Sequence, residues 1–210
     1  MSRTVYITRH GQSEHNENTA VFMGRAPSSR LVEKGREQAR RLGRRLARAG
    51  GVEHIVASSL PRTEETARIV AEHAGGVVHL EDAFWELSKG HWEGRMPREL
   101  PPEVQAAFEA DPMGFAYGEG ESYADVVRRV GPAFDGWLER LSGGCVLFVL
   151  HGDVIRALLY HLIAFPPGRI ADFAMDPCAL SEVAVAGARR RVIRLNDSCH
   201  LDGAFAEAKP

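Results

Sequence analysis

The chain has 210 residues, 44% hydrophobic and 26% charged, which suits one soluble globular domain whose own core makes a disulfide or metal staple unnecessary. A formal net charge of −2 gives no overall field for nucleic acid or an anionic membrane, and leaves room only for a local basic cluster. The N-terminal MSRTVYITRHGQSE lacks the apolar stretch of a secretory signal, and no window approaches the roughly 20 apolar residues that span a bilayer, so a cytoplasmic location is expected. The three cysteines, Cys145, Cys178 and Cys199, show no CxxC spacing; Cys145 opens an apolar run and is expected to be a buried thiol in a reducing compartment.

Val5 to Thr8 is a short β-prone run that ends abruptly at Arg9-His10-Gly11. Glu33 to Ala49 has helical spacing, with Ala39, Leu42, Leu46 and Ala49 on one face and arginines opposite, and Gly50-Gly51 stops it. His54 to Ala57 reads as a second strand, closed by Ser58-Ser59. Pro61 opens a helix to about Ala74, and Val77 to Leu80 is a third strand. The segment from Glu81 to Glu121, with Pro97, Pro101, Pro102 and Pro112, is irregular apart from a short helix at Glu103 to Ala110. Ser122 to Leu141 is a long amphipathic helix that Gly131-Pro132 is expected to bend. Cys145 to Leu150 is the most apolar strand and ends at His151-Gly152-Asp153, with a helix following to about Ile163. Ser181 to Ala186 and Arg191 to Leu195 are late strands forming a hairpin around Gly187. Such alternation predicts an α/β domain with a mostly parallel sheet.

Three of these strands end in polar residues: Arg9-His10-Gly11, Ser58-Ser59 and His151-Gly152-Asp153. In open α/β sheets, ligands bind outside the carboxyl ends of the strands, and neighbouring strands lie only about 5 Å apart. The pattern therefore gathers Arg9, His10, His151 and, from the helix after Ser59, Arg62 into one crevice. Guanidinium forks match phosphate oxygens in pairs, while Gly11 and Gly152 admit close approach to backbone N–H groups and helix N-termini. Taken singly, each residue has a plainer explanation, such as a hydrogen-bonded core histidine or one solvated arginine among 26 basic residues. Their joint occurrence at strand ends carries the signal. The nine histidines show no HxH, HxxxH or Cys/His zinc spacing, so no metal is expected; His15 alone among the others lies beside the first motif.

RHGQSEHN, from Arg9 to Asn16, resembles the signature of the histidine phosphatase superfamily, also called the phosphoglycerate mutase-like family. SSLPRTEETA (Ser58 to Ala67), ELSKGHWEG (Glu86 to Gly94), GEGESYADVVRRV (Gly118 to Val130) and HGDVIRAL (His151 to Leu158) are similar to its later motifs, in the family's order. The resemblance implies a three-layer α/β sandwich, with a mostly parallel central sheet and helices on both faces. It implies a single domain over 1–210 with its core at about 4–195, and phosphoryl chemistry with no metal or other cofactor.

Carried over residue by residue, the resemblance makes His10 the nucleophile that accepts the phosphoryl group. Arg9, Arg62, Asn16 and His151 would hold the non-bridging oxygens, His151 as a protonated or donor imidazole. Glu86 would protonate the leaving oxygen and then activate water, with Phe84, Trp85 and Trp92 supplying desolvation. Gln12, Gly24, Arg25 and Gly152 are expected substrate contacts, with Arg25 and Arg30 candidates for a second anionic group.

Mutases of this family carry E-R-x-Y-G and a longer insertion near the site. Here the corresponding residues are Glu86-Leu87-Ser88-Lys89-Gly90, and the short span from Arg62 leaves little room for such loops. GEGESY is similar to the fructose-2,6-bisphosphatase branch, yet that branch's lysine is Glu119 here and its glutamine is Gly152. The segment GRAPSSRLVEKG, Gly24 to Gly35, departs from the D-x-P-L-T of many relatives. The expected function is a phosphatase acting on a small phosphorylated metabolite, with no nucleic-acid or membrane partner; a homodimer is admitted but not required. The alternatives are mutase-type phosphoryl transfer and a catalytically silent phosphate- or phosphopeptide-binding module.

Overall fold

The computed structural model describes residues 3–14, 21–141, 144–187 and 189–201. Its strands are β1 (Arg3–Arg9), β2 (His54–Ser58), β3 (Val77–Glu81), β4 (Val146–Leu150), β5 (Leu180–Ala186) and β6 (Arg189–Asp197). They form one six-stranded sheet in the order β3-β2-β4-β1-β5-β6. The β3–β2, β2–β4 and β4–β1 pairs are parallel, whereas β1–β5 and β5–β6 are antiparallel. The expected late hairpin therefore extends the parallel sheet with an antiparallel edge.

The helices are α1 (Glu33–Arg48), α2 (Pro61–Ala74), α3 (Pro102–Ala110), α4 (Tyr123–Arg140) and α5 (Gly152–Ile163). The continuous apolar run of β4 follows from burial on both faces of the sheet. Val146, Phe148 and Leu150 join Val5, Ile7 and Val56 against Val126, Val130 and Phe134 of α4 and Val154 and Leu158 of α5. Leu147 and Val149 join Ile55 and Ala57 on the other face, against Ala39, Leu42 and Leu46 of α1 and Ala67 and Val70 of α2. The sandwich thus has helices on both sides. Each buried aliphatic side chain contributes roughly 1.5–3 kcal/mol over its exposed state.

Helix ends follow their local chemistry. Pro61 occupies the first turn of α2, where its missing N–H costs no hydrogen bond. Ser122 and Asp125 form a capping box at the start of α4, so Asp125 has a structural duty instead of standing as a merely solvated residue. The same helix runs on through Gly131-Pro132, and Gly131 sits where a Cβ would lie 2.7 Å from His161 Nδ1, which lets α4 and α5 approach closely. Cys145 is only half-buried, because it lies just before β4; the fully buried thiol is Cys178. Among the described residues no helix is long and apolar enough to cross a membrane.

Candidate active site

Strand order brings the three polar strand ends together. Arg9 pairs with Leu150 across β1 and β4, and the next residue, His10, donates its N–H to Leu150 O at 2.9 Å. His10 and His151 therefore emerge side by side, with ring centroids 5.3 Å apart in an edge-on arrangement. On the far side of β4, Ser58 ends β2, and its Oγ lies 2.9 Å from His151 Nε2. Arg62 enters from the first turn of α2 and is completely buried. The loop after His10 is pinned to α1: Gln12 N–H donates to Gln38 Oε1 at 2.8 Å, and a Cβ on Gly35 would sit 2.0 Å from Gln12 O.

His10 Nδ1 lies 2.7 Å from Gly11 O, so that nitrogen carries the proton and donates. Nε2 is then the basic nitrogen, and no described group hydrogen-bonds to it. Burial, reinforced by Arg62 and Arg9, holds the His10 pKa well below the ordinary histidine value, so the ring is neutral. Burial together with Arg62 and His10 does the same to His151. At residue 151 the expectation was a protonated or donor imidazole; burial favours the neutral ring, so the donor role runs through an N–H.

Arg62 Nη2 donates to Gly24 O at 2.9 Å and Nη1 to Ala26 O at 3.2 Å; Arg9 Nη1 donates to Met175 O at 2.8 Å. These bonds fix both guanidinium planes but leave Arg62 Nε, Arg9 Nε and His151 Nδ1 buried without a partner. Unpartnered buried polar groups are rare and costly, at about 1–3 kcal/mol each, so two guanidinium N–H groups and a ring nitrogen left so at the strand ends suit a site for an anion. Burial lowers the Arg62 pKa to about 10, which still leaves a full positive charge.

Beside this cage lies a cavity of about 240 Å³, lined by Arg9, Phe22, Gly24, Glu86, Lys89, Gly152 and Arg156 among others. Glu86 follows the short helical turn Asp82–Phe84, and its Oε1 accepts the Leu87 N–H at 2.9 Å. Burial and then Asp153 raise its pKa above the ordinary carboxylate range, against the pull of Arg62 and Arg9. Gly24 adopts a φ of +46°, and its missing side chain leaves space that Glu93 fills. At Gly152 a Cβ would lie 3.8 Å from Arg9 Nε and 3.7 Å from Arg156 Nη1.

The remaining sequence candidates separate clearly. Arg25, expected to contact substrate, is held within the site's wall: Nε donates to Glu86 O at 3.2 Å, Nη2 pairs with Glu121 at 2.8 Å, and the guanidinium stands over Trp85. Arg30 is exposed and donates to Pro27 O. Gln12 is held through its backbone and is absent from the cavity wall. Asn16 and His15 lie outside the described residues. His161 pairs with Asp135 and Arg190, and His79 stacks between His54 and Trp137, both away from the strand ends.

Sequence reasoning missed a buried polar hub. Asp153 accepts from Tyr123 Oη and, at 2.7 Å, from Arg156 Nη1, and its Oδ2 lies 3.4 Å from Lys89 Nζ. Burial opposes its ionisation, yet Lys89 and Arg156 prevail and hold its pKa below the ordinary aspartate range. The signal lay in the helical spacing of Asp153 and Arg156; nothing local pointed to Lys89 or Tyr123. Among the described residues no group of three or more His, Cys, Asp or Glu side chains is placed to hold a metal ion; the positive charge around the strand ends comes from arginines.

The family model for the histidine phosphatase superfamily, branch 1, matches residues 5–198. A probable phosphoglycerate mutase GpmB of Yersinia enterocolitica is 34% identical over 182 residues, covering 85% of this chain and 83% of the relative. Among solved structures, YhfR of Bacillus stearothermophilus superposes with a TM-score of 0.86 at 30% identity, covering 95% of this chain and all of that one, 100%. A mycobacterial glucosyl-3-phosphoglycerate phosphatase superposes with a TM-score of 0.83 at 25% identity, covering 94% and 100%. With the match spanning nearly its whole length, and the strand-end histidines and arginines in place, the chain belongs to the histidine phosphatase superfamily, branch 1.

Proposed function

We propose that the chain is a metal-independent phosphomonoesterase acting on a small phosphorylated metabolite through a phosphohistidine at residue 10. The observation that carries this reading is the His10 ring: neutral, with Nδ1 tied to Gly11 O so that Nε2 is the basic nitrogen, beside the unpartnered nitrogens of Arg9, Arg62 and His151. His10 Nε2 attacks phosphorus and the ester P–O bond breaks. The leaving oxygen takes the proton of the Glu86 carboxyl group, whose raised pKa keeps that proton available. Water then attacks the phosphorus, Glu86 accepts its proton, and the P–N bonding pair returns to the imidazole. Charge on the transferring group is met by fixed guanidinium and N–H donors, the main task in phosphoryl transfer.

A mutase reading is favoured by one observation, the likeness to the probable phosphoglycerate mutase GpmB. Both readings share the first half-reaction and differ in whether water or a second organic hydroxyl takes the phosphoryl group. Hydrolysis of p-nitrophenyl phosphate and a panel of phosphorylated metabolites in excess EDTA tests the proposal. Release of inorganic phosphate supports it. Interconversion of phosphoglycerates without release supports the mutase, and tight binding without turnover supports a silent binding module.

A further inference from the structure

We infer that Ser58 is a positioning residue of this site: its hydroxyl donates to His151 Nε2 and so keeps the His151 proton on Nδ1, where it is offered to a phosphoryl oxygen. The inference rests on the phosphomonoesterase reading for the phosphoryl group and adds how the second histidine is made a donor.

Strand register sets the contact. Ala57 pairs with Val149 across β2 and β4, and Arg9 with Leu150 across β1 and β4. The residue after β4 therefore has the end of β2 on one side and His10 on the other, and His151 fills that place. It is the N-cap residue of α5, yet its side chain makes no capping bond, which leaves the ring to the site. Ser58 and His151 are both fully buried. Among the described residues the ring's hydrogen-bond partner is Ser58 Oγ, 2.9 Å from Nε2, while Nδ1 is buried with none.

The bond made by one ring nitrogen decides which of the two carries the proton. Ser58 Oγ accepts the N–H of Leu60 at 3.4 Å, and Leu60 is the N-cap residue of α2, the helix that carries Arg62. A hydroxyl has one hydrogen and two lone pairs. With a lone pair given to Leu60, the hydrogen remains, and His151 Nε2 is the acceptor beside it. The reverse arrangement, with Nε2–H donating to Ser58, strands the hydroxyl hydrogen in the interior. It would also present a lone pair, not a proton, to the phosphoryl oxygens. With the proton on Nδ1, a single N–H waits for a partner, and an oxygen of the group held by Arg9 and Arg62 completes it. Burial, reinforced by Arg62, His10 and Arg9, opposes a second proton on the ring. The donor is thus a neutral N–H whose place is set by one hydroxyl.

Protein carrying ¹⁵N-labelled histidine is read by long-range ¹H–¹⁵N correlation, without ligand and with orthovanadate, the His151 signals being assigned from His151→Asn. The wild-type ring should show a protonated Nδ1 and a bare Nε2 in both states. Ser58→Ala should populate the Nε2–H form and weaken vanadate binding about tenfold or more. Ser58→Thr, which keeps the hydroxyl, should resemble wild type. A proton on Nε2 of wild-type His151 overturns the inference whether or not the variants fold. Folded Ser58→Ala with the wild-type tautomer, or with unaltered vanadate binding, overturns it as well. The ring spectrum does not depend on turnover, so failure of the parent reading is visible separately, as wild-type protein that does not hydrolyse p-nitrophenyl phosphate.

Discussion

Replacing Glu86 by Gln isolates proton transfer from everything else at the site. Glutamine keeps the size of the side chain, and its oxygen can still accept the Leu87 N–H that Oε1 accepts at 2.9 Å, so the wall of the cavity is preserved. What disappears is the proton that burial and Asp153 keep on the carboxyl group. A positioned general acid contributes about 10²–10⁴-fold to steps that need it, or about 3–5 kcal/mol. An alkoxide leaving group needs the proton and p-nitrophenolate does not. The comparison is made on kcat/KM, which reports only as far as the first irreversible step and so excludes the later use of Glu86 on water. Glu86→Gln should therefore lose about 10²–10⁴-fold on alkyl phosphates and far less on p-nitrophenyl phosphate. The alkyl-phosphate profile of the parent enzyme should fall as pH rises through the elevated carboxyl pKa, and the variant should lack that limb. Equal losses on both ester types, or an alkaline limb retained in Glu86→Gln, would refute the assignment.

Stability should depend on the two strand-end histidines. Both are neutral in the fold, with pKa values held well below the ordinary value, so they take up protons mainly on unfolding. Their contribution is complete above about pH 6.5 and is lost as pH falls below it, at up to roughly 1.4 kcal/mol per pH unit for each ring. Urea denaturation between about pH 7.5 and about pH 5.5 should show this decline, and His10→Asn should remove about half of the slope; an unchanged slope contradicts the burial argument. Gly152→Ala should fold normally, since its Cβ meets atoms only at 3.7 Å and beyond, which is ordinary van der Waals contact. Arg9→Met removes a charge-assisted donor and predicts about tenfold or more weaker vanadate inhibition, and unaltered inhibition would count against Arg9 as an anion contact. Gly35→Ala pushes a methyl to 2.0 Å from Gln12 O, so thermal denaturation should show a loss of about 1–3 kcal/mol or more. A neutral outcome would mean that the loop after His10 is not locked to α1.

His10 and His151 were legible because apolar runs stop abruptly at them, and Arg62 because it opens the helix after Ser58-Ser59; strand order does the rest. Glu86 was legible only through motif resemblance: Phe84, Trp85 and Trp92 pointed to its desolvation, but nothing near it on the chain revealed the Asp153 charge that also raises its pKa. The sequence left His151 as either a protonated or a donor imidazole, because the desolvation beside Arg62 and His10 that favours the neutral ring is a tertiary effect. Asp153, Lys89, Tyr123 and Arg156 meet from α5, the loop after Glu86 and the start of α4, so no sequence window contains the hub. Arg25 was read as a substrate contact, and only the fold brings Glu121 and the Glu86 carbonyl to it. The pairing of β5 with β1 was likewise unreadable, since either strand of a hairpin can dock on a sheet edge.

Capture of the phosphoenzyme tests the central claim most directly. Wild-type protein is mixed with a ³²P-labelled phosphomonoester, quenched in alkali within the first turnover, and mapped by peptide. The account predicts label on residue 10, stable in alkali and released by acid, and absent from His10→Ala. Phosphate release that proceeds normally in folded His10→Ala, or label found on another residue, would contradict it.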